Sequence, residues 1–532
     1  MPSSLASRRS ASRLLASTAI PSRRDFLAKL GVGSTAAILG ALPIASFAQA
    51  APAPKKGWLT STDTASEIIW MSATKLAQLI REKKISATEA VQAYIARIEK
   101  VNPKINAVVQ MCFERALAEA KAADEALAKG IIKGPLHGVP FTIKDSLDTE
   151  GVISTGGTVG REFFIPEKDA TVVARVRAAG AILLGKTNTP EFTLAGGGIP
   201  GISTTANIIY GISKNPYDLK RSTAGSSGGA GAIVAAGGAA FDIGSDYGGS
   251  IRMPAHNNGT TGLKPTFGRV ARTGHIVDYG GIFDSWQEIG PLARRVEDLN
   301  LITGIICGPD DLDAAMVPMP WLDPADVDVG KLRVAYYAAN GVADITPETI
   351  ATVKKAADLF AANGNPVKED FPKDIIMELE EIRSKISPVS TPGLLKLAEK
   401  WGSKAISPTI TNRASRPLPS TPELTELLEK QDANRSRLLG WMKGYDIVIN
   451  PVMPKPAQLL NAGEQPPSKP GSSYVGVHNT SGYPVAVVRA GTSPEGLPIG
   501  VQIIGQPWME DKVLAAAAFL ETKTGGWSKP AI

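Results

Sequence analysis

Val139-Pro140-Phe141-Thr142-Ile143 is a short apolar run, residues 171–179 are Ala- and Val-rich with helical spacing, and Ala181-Ile182-Leu183-Leu184 is apolar again. Strand, helix and strand in that order are the alternation of an α/β layer. Upstream, Ser72 precedes Leu76, Leu79 and Ile80, and Ser86-Ala87-Thr88-Glu89 is a capping box ahead of Val91, Tyr94, Ile95 and Ile98. Both patterns predict helices, and a third spans about residues 112–129 before Gly134-Pro135. Downstream, residues 310–440 read as mostly helical with Pro-rich breaks. Residues 446–450, 485–490 and 499–504 read as late strands, and residues 510–521 as a closing helix.

Residues 225–250 differ from everything around them, with nine glycines in 26 positions. That is too dense for ordinary helix or strand and too apolar for a flexible linker, so backbone is being brought close to something.

The 532 residues are 43% apolar and 20% charged, a globular composition with room for a large core. The formal charge of +6 is concentrated at the front: Arg8, Arg9, Arg13, Arg23, Arg24 and Lys29 face only Asp25, so residues 51–532 are left near +1. Such a balance lacks the footprint of nucleic-acid binding. Ser22-Arg23-Arg24-Asp25-Phe26-Leu27, the weakly apolar run from 30 to 47 and Ala48-Gln49-Ala50 resemble a twin-arginine export signal. Cleavage after Ala50 leaves 482 residues for the periplasm or beyond, the export machinery being a transient partner. Residues 51–65 read as a linker. Only Cys112 and Cys307 are present, so at most one disulfide can form.

His137, His256, His275 and His478 stand apart without ligand spacing, which argues against a metal centre and makes them ordinary packing or surface histidines. Three serine patterns compete. Gly225-Ser226-Ser227-Gly228-Gly229 fits a nucleophile elbow at Ser227, but residues 215–221 upstream cannot form the strand that an elbow needs. Ser72-Ala73-Thr74-Lys75, Ser245-Asp246-Tyr247 and Lys523-Thr524-Gly525 echo penicillin-recognising enzymes. There, Lys523 lies too close to the chain end for a mid-sheet strand, and Ser72 is explained as an N-cap.

The third pattern is longer. Residues 135–145, Pro-Leu-His-Gly-Val-Pro-Phe-Thr-Ile-Lys-Asp, end an apolar strand on Lys144; Ser226 follows 82 residues later in its Gly-Ser-Ser-Gly-Gly turn, and Ser250 lies 24 beyond it in Ser245-Asp246-Tyr247-Gly248-Gly249-Ser250-Ile251-Arg252. With Gly185–Phe192, Gly262–Thr266, Gly290–Arg294 and Gly496–Gly500, the chain resembles an amidase signature hydrolase over roughly residues 70–522. The resemblance implies one large α/β domain over residues 66–532, with a mixed, mainly parallel central sheet covered by helices on both faces.

It also implies a Ser-Ser-Lys triad. Ser250 would be the nucleophile, with the amides of Tyr247, Gly248, Gly249 and Ser250 as the oxyanion hole, where one donor is typically worth about 3–4 kcal/mol. Ser226 would bridge, after a cis Gly225–Ser226 bond, and Lys144 would be the base, kept neutral by burial. Ser227, Asp246 and Arg252 are supporting residues, the two charges flanking the Ser250 loop. Thr193 falls in the segment that lines the acyl pocket in the family. Ala224, where the family has glycine, and His256-Asn257-Asn258 depart from the pattern. The implied reaction is cofactor-free hydrolysis of a small-molecule carboxylic amide through an acyl-enzyme, with ester cleavage open to the same chemistry. The alternatives are the glutaminase subunit of a tRNA-dependent amidotransferase, a penicillin-type hydrolase and an inactive exported binding protein.

Overall fold

Strand β2 (Pro140–Lys144) is buried at every position and pairs in parallel with strands on both sides, which is why its sequence is apolar without alternation. The computed structural model describes residues 67–194, 203–277, 285–461, 471 and 473–532. The export-type segment and the linker of the sequence reading lie outside these residues.

The other strands follow in chain order: β1 (Val108–Met111), β3 (Ile182–Thr187), β4 (Ala206–Asn207), β5 (Gly211–Ile212), β6 (Phe241–Asp246), β7 (Thr261–Lys264), β8 (Glu288–Ala293), β9 (Val334–Tyr336), β10 (Val367–Glu369), β11 (Ile447–Pro451), β12 (Val485–Thr492) and β13 (Pro498–Gly505). Strands β4 and β5 pair by themselves, and the remaining eleven form one sheet in the order β1-β3-β2-β6-β8-β7-β12-β13-β11-β9-β10. The sheet is mixed as expected, but it is not mainly parallel. Parallel pairing is confined to β2 with β3 and β6 and to β9 with β10 and β11. The other pairings are antiparallel, and of these only β12–β13 is a hairpin closed by a short connection.

The helices match the periodicity closely. Ser72 caps Ala73–Arg81 by accepting from the Lys75 amide at 3.0 Å, and Ser86 and Glu89 close both halves of the capping box that starts Ala87–Ile105. That helix stops at Asn106, whose φ of 48° ends the hydrogen-bond ladder. Across the sheet centre, Phe141 of β2 stacks on Phe241 of β6 at 5.2 Å between ring centroids, inside the main apolar core.

The glycines of 225–250 have a definite purpose. Helix Gly228–Ala235 is wholly buried, and a Cβ on Gly228 would lie 2.3 Å from Thr223 Oγ1, one on Gly229 2.5 Å from the Asn188 amide nitrogen, and one on Gly244 2.5 Å from Ser227 Oγ. The chain itself fills the space a side chain would need. Cys112 and Cys307 are both free thiols.

Candidate active site

The sheet register builds one edge of the site. Because β2 and β6 run parallel with Thr142 opposite Asp242 and Ile143 opposite Ile243, Lys144 at the end of β2 comes level with Gly244, next to Ser245 near the end of β6 (Phe241–Asp246). Lys144 is fully buried, and its Nζ lies 2.6 Å from Ser226 Oγ, 2.9 Å from Ser245 Oγ and 3.5 Å from the Ser245 carbonyl oxygen, donating to them as the ammonium and able to accept through its lone pair once neutral. Burial brings its pKa down to about 7, against the upward pull of Asp246 and Asp242. Desolvation is the larger influence because the ammonium loses its water and gains no carboxylate contact within salt-bridge distance.

Ser226 stands on the turn before helix Gly228–Ala235, and the Gly225–Ser226 peptide bond is cis. Ala224, just ahead, takes φ 56°, a region that favours glycine. The Ser227 amide donates to the Ser250 carbonyl at 3.1 Å, which ties the Ser226 turn to the Ser250 loop. The Ser250 hydroxyl itself makes no hydrogen bond to a described residue, so the Lys144–Ser226 link is closed in this structure and the Ser226–Ser250 link is open. Such contacts commonly tighten only when substrate binds.

The loop carrying Ser250 is organised by Asp246. Its carboxylate accepts from the Gly249 amide at 2.7 Å and the Ile251 amide at 3.0 Å, and from Arg252 Nε at 3.1 Å and Nη2 at 3.0 Å. Burial alone would raise its pKa, but Arg252 and the side chain of Asn479 outweigh burial and hold it well below the usual carboxylate range. Arg252 also reaches the Val475 carbonyl, Gln502 Oε1 and Asn479 Oδ1. Commitment of the Gly249 N–H to Asp246 departs from the expected four-donor oxyanion hole. The Gly248 and Ser250 amides have no acceptor among the described residues.

Ser227 is not a nucleophile elbow. Its Oγ donates to the Ser245 carbonyl and accepts from the Ser245 amide, each at 3.3 Å, stitching the helix to β6. Ser72 is the N-cap described above, and Lys523 lies inside helix Glu510–Thr524 rather than on a strand, so the penicillin-type elements are not built. Thr193 is buried with φ 62° and has no hydrogen bond to Lys144, Ser226 or Ser250. Its neighbours Phe192 and Leu194 share an apolar cluster with Tyr247 and Trp286, beside the Ser250 loop. The end of the expected acyl-pocket segment, residues 195–198, lies outside the described residues.

Four supporting residues escaped the sequence reading: Ser245 and His275 behind Lys144, and Asn479 and Gln502 behind Arg252. Ser245 was visible beside Asp246. The others come from remote segments with no motif. Among the described residues no group of His, Cys, Asp and Glu is arranged to hold a metal ion.

A family pattern described as Amidase matches residues 89–514. The chain is 34% identical over 492 residues to a glutamyl-tRNA(Gln) amidotransferase subunit of Moorella thermoacetica, across 86% of this chain and 97% of that one. It is also 34% identical over 471 residues to indoleacetamide hydrolase of Bradyrhizobium diazoefficiens, across 86% of this chain and 87% of that one. Among solved structures, 6-aminohexanoate cyclic dimer hydrolase complexed with substrate superposes with a TM-score of 0.75 at 29% identity, over 87% of this chain and 99% of that one.

Proposed function

The chain belongs to the amidase family, hydrolases of carbon–nitrogen amide bonds, and we propose that it cleaves a carboxylic amide outside the cytoplasm through a Ser250–Ser226–Lys144 relay and an acyl-enzyme. The observation that carries this reading is the buried Lys144, with a pKa near 7, 2.6 Å from Ser226 Oγ. A lysine in that state is neutral in a useful fraction at physiological pH and can take a proton.

Ser250 Oγ attacks the carbonyl carbon while its proton passes to Ser226 Oγ, whose own proton moves to Lys144 Nζ. The oxyanion forms against the backbone amides of Tyr247, Gly248 and Ser250, with Gly249 contributing loop geometry instead of a donor. Collapse breaks the C–N bond, and the proton returns through Ser226 to the leaving amine. Water, activated by the same relay, then releases the acid.

Fluorophosphonate labelling followed by peptide mass spectrometry tests the assignment. Label on Ser250 that slows sharply in Lys144→Ala is expected; label on Ser227 or Ser72 overturns it, and no label favours an inactive binding protein. The export half is tested by the N-terminus of the protein recovered from the periplasm, expected near Ala51.

A second reading, the glutaminase subunit of a tRNA-dependent amidotransferase, is favoured by the kinship with the Moorella thermoacetica protein. The segment at residues 22–50 argues against it, since charged tRNA is cytosolic. Ammonia release from glutamine that rises when the other components of an amidotransferase are added would support this second reading.

A further inference from the structure

We infer that His275 is a positioning residue for Lys144: acting through Ser245, it turns the lysine lone pair toward Ser226. This rests on Lys144 being the base.

His275 is buried, and its backbone bridges to Leu147, three residues beyond Lys144. Its Nδ1 lies 3.2 Å from the Val277 carbonyl oxygen and its Nε2 3.0 Å from Ser245 Oγ. Burial, then the nearby charges of Lys144 and Arg272, bring its pKa down to about 3, so the ring is neutral and carries one proton. A carbonyl oxygen can only accept, so that proton belongs on Nδ1. Gln287 Nε2 lies 3.4 Å from Nδ1 and 3.1 Å from the same carbonyl, and its donation goes to the nearer oxygen, so Nδ1 keeps its proton for the Val277 carbonyl at 3.2 Å.

The remaining assignments follow in sequence. With Nδ1 protonated, Nε2 is an acceptor, and the Ser245 hydroxyl donates to it. Ser245 Oγ is then left with lone pairs only, so in the contact at 2.9 Å Lys144 is the donor. Neutral lysine has two N–H bonds and one lone pair. One N–H points to Ser245 Oγ and the other toward the Ser245 carbonyl, which leaves the lone pair for Ser226 Oγ at 2.6 Å. The Ser226 proton is therefore already directed at the base. The opposite tautomer would free the Ser245 proton to occupy that lone pair and take the base out of use. Asp242 and Asp246, the carboxylates whose charges act on Lys144, change how readily it is protonated without choosing this direction.

Two measurements test the inference. In protein labelled with 15N at its four histidines, long-range proton–nitrogen correlation, with His275 assigned from the spectrum of His275→Gln, is expected to show the Nδ1–H form at pH 8; the Nε2–H form overturns the inference. In the second, the saturating rate of Ser250 labelling by a fluorophosphonate is expected to fall about tenfold or more in His275→Leu, with little change in the half-saturating concentration. His275→Gln, which keeps an acceptor, is expected to recover part of it. In a Ser245→Ala background His275→Leu should add nothing further; an equal additional loss there overturns the action through Ser245. If His275→Leu does not fold, the tautomer in the unaltered protein decides. If Lys144→Ala labels at the normal rate, the base assignment fails whatever the tautomer.

Discussion

Asp246 and Arg252 meet through two parallel contacts at 3.0 and 3.1 Å, with neither side chain exposed, and between them run Gly248, Gly249 and Ser250. The pair closes the five residues between them, Tyr247 to Ile251, from both ends. Asp246 takes amides from inside the loop while Arg252 anchors to the segment around Val475 and Asn479.

Removing one partner leaves a buried charge uncompensated, which costs about 3–5 kcal/mol. Asp246→Asn is therefore expected to lose stability of that order in urea unfolding and to lose Ser250 labelling. Asp246→Asn with Arg252→Gln should cost less than the two single losses combined. With the folded pKa of Asp246 depressed, its contribution is intact above the ordinary carboxylate range and disappears as pH falls through the depressed folded value.

Turnover needs neutral Lys144, so the rate at saturating substrate should rise with pH up to about 7 and then level. Asp242, whose own pKa burial pushes up to about 7, raises the Lys144 pKa in its ionised form, and Asp242→Asn keeps an oxygen for Thr142 and Thr187 while removing that charge. Its rate profile is expected to shift to lower pH; a shift upward would contradict the assigned electrostatics. Stability moves in the same direction over a higher range: a folded pKa below the unfolded value of a lysine makes the fold gain stability as pH rises between about 7 and 10.5.

Gly249→Ala and Gly248→Ala should differ. Gly249 has φ 105° and a Cβ there would lie 2.6 Å from Val475 Cγ2, whereas a Cβ on Gly248 would meet only the tip of Arg383, at 2.5 Å. An arginine tip can swing away. Gly249→Ala is expected to lose about 1–3 kcal/mol, Gly248→Ala under about 1 kcal/mol, compared by thermal unfolding.

Ser227→Ala breaks both contacts to Ser245 and should cost about 1–2 kcal/mol. Fluorophosphonate labelling of Ser250 should persist in this variant. Its abolition would restore the elbow reading.

Much of the site was legible because its chemistry is carried by local strings. Lys144 ends a readable strand, and the glycines around Ser226 and Ser250 advertise close backbone approach. His275 and Asn479 carried no such signal; each gains meaning only from a segment it meets in space. The sheet shows the same divide. Strands β9 and β10 have three residues each and sit among helices, so a helical reading of residues 310–440 passed over them. Strand β7 is buried at all four positions, which erases the alternation that would have distinguished its antiparallel pairing.

The two thiols bear on where such a chain can mature. Cys112 and Cys307 are unlinked, and burial raises the pKa of each, that of Cys112 to about 11. No disulfide links them, so the described fold is complete with both thiols reduced and needs neither an oxidant nor a disulfide isomerase to form.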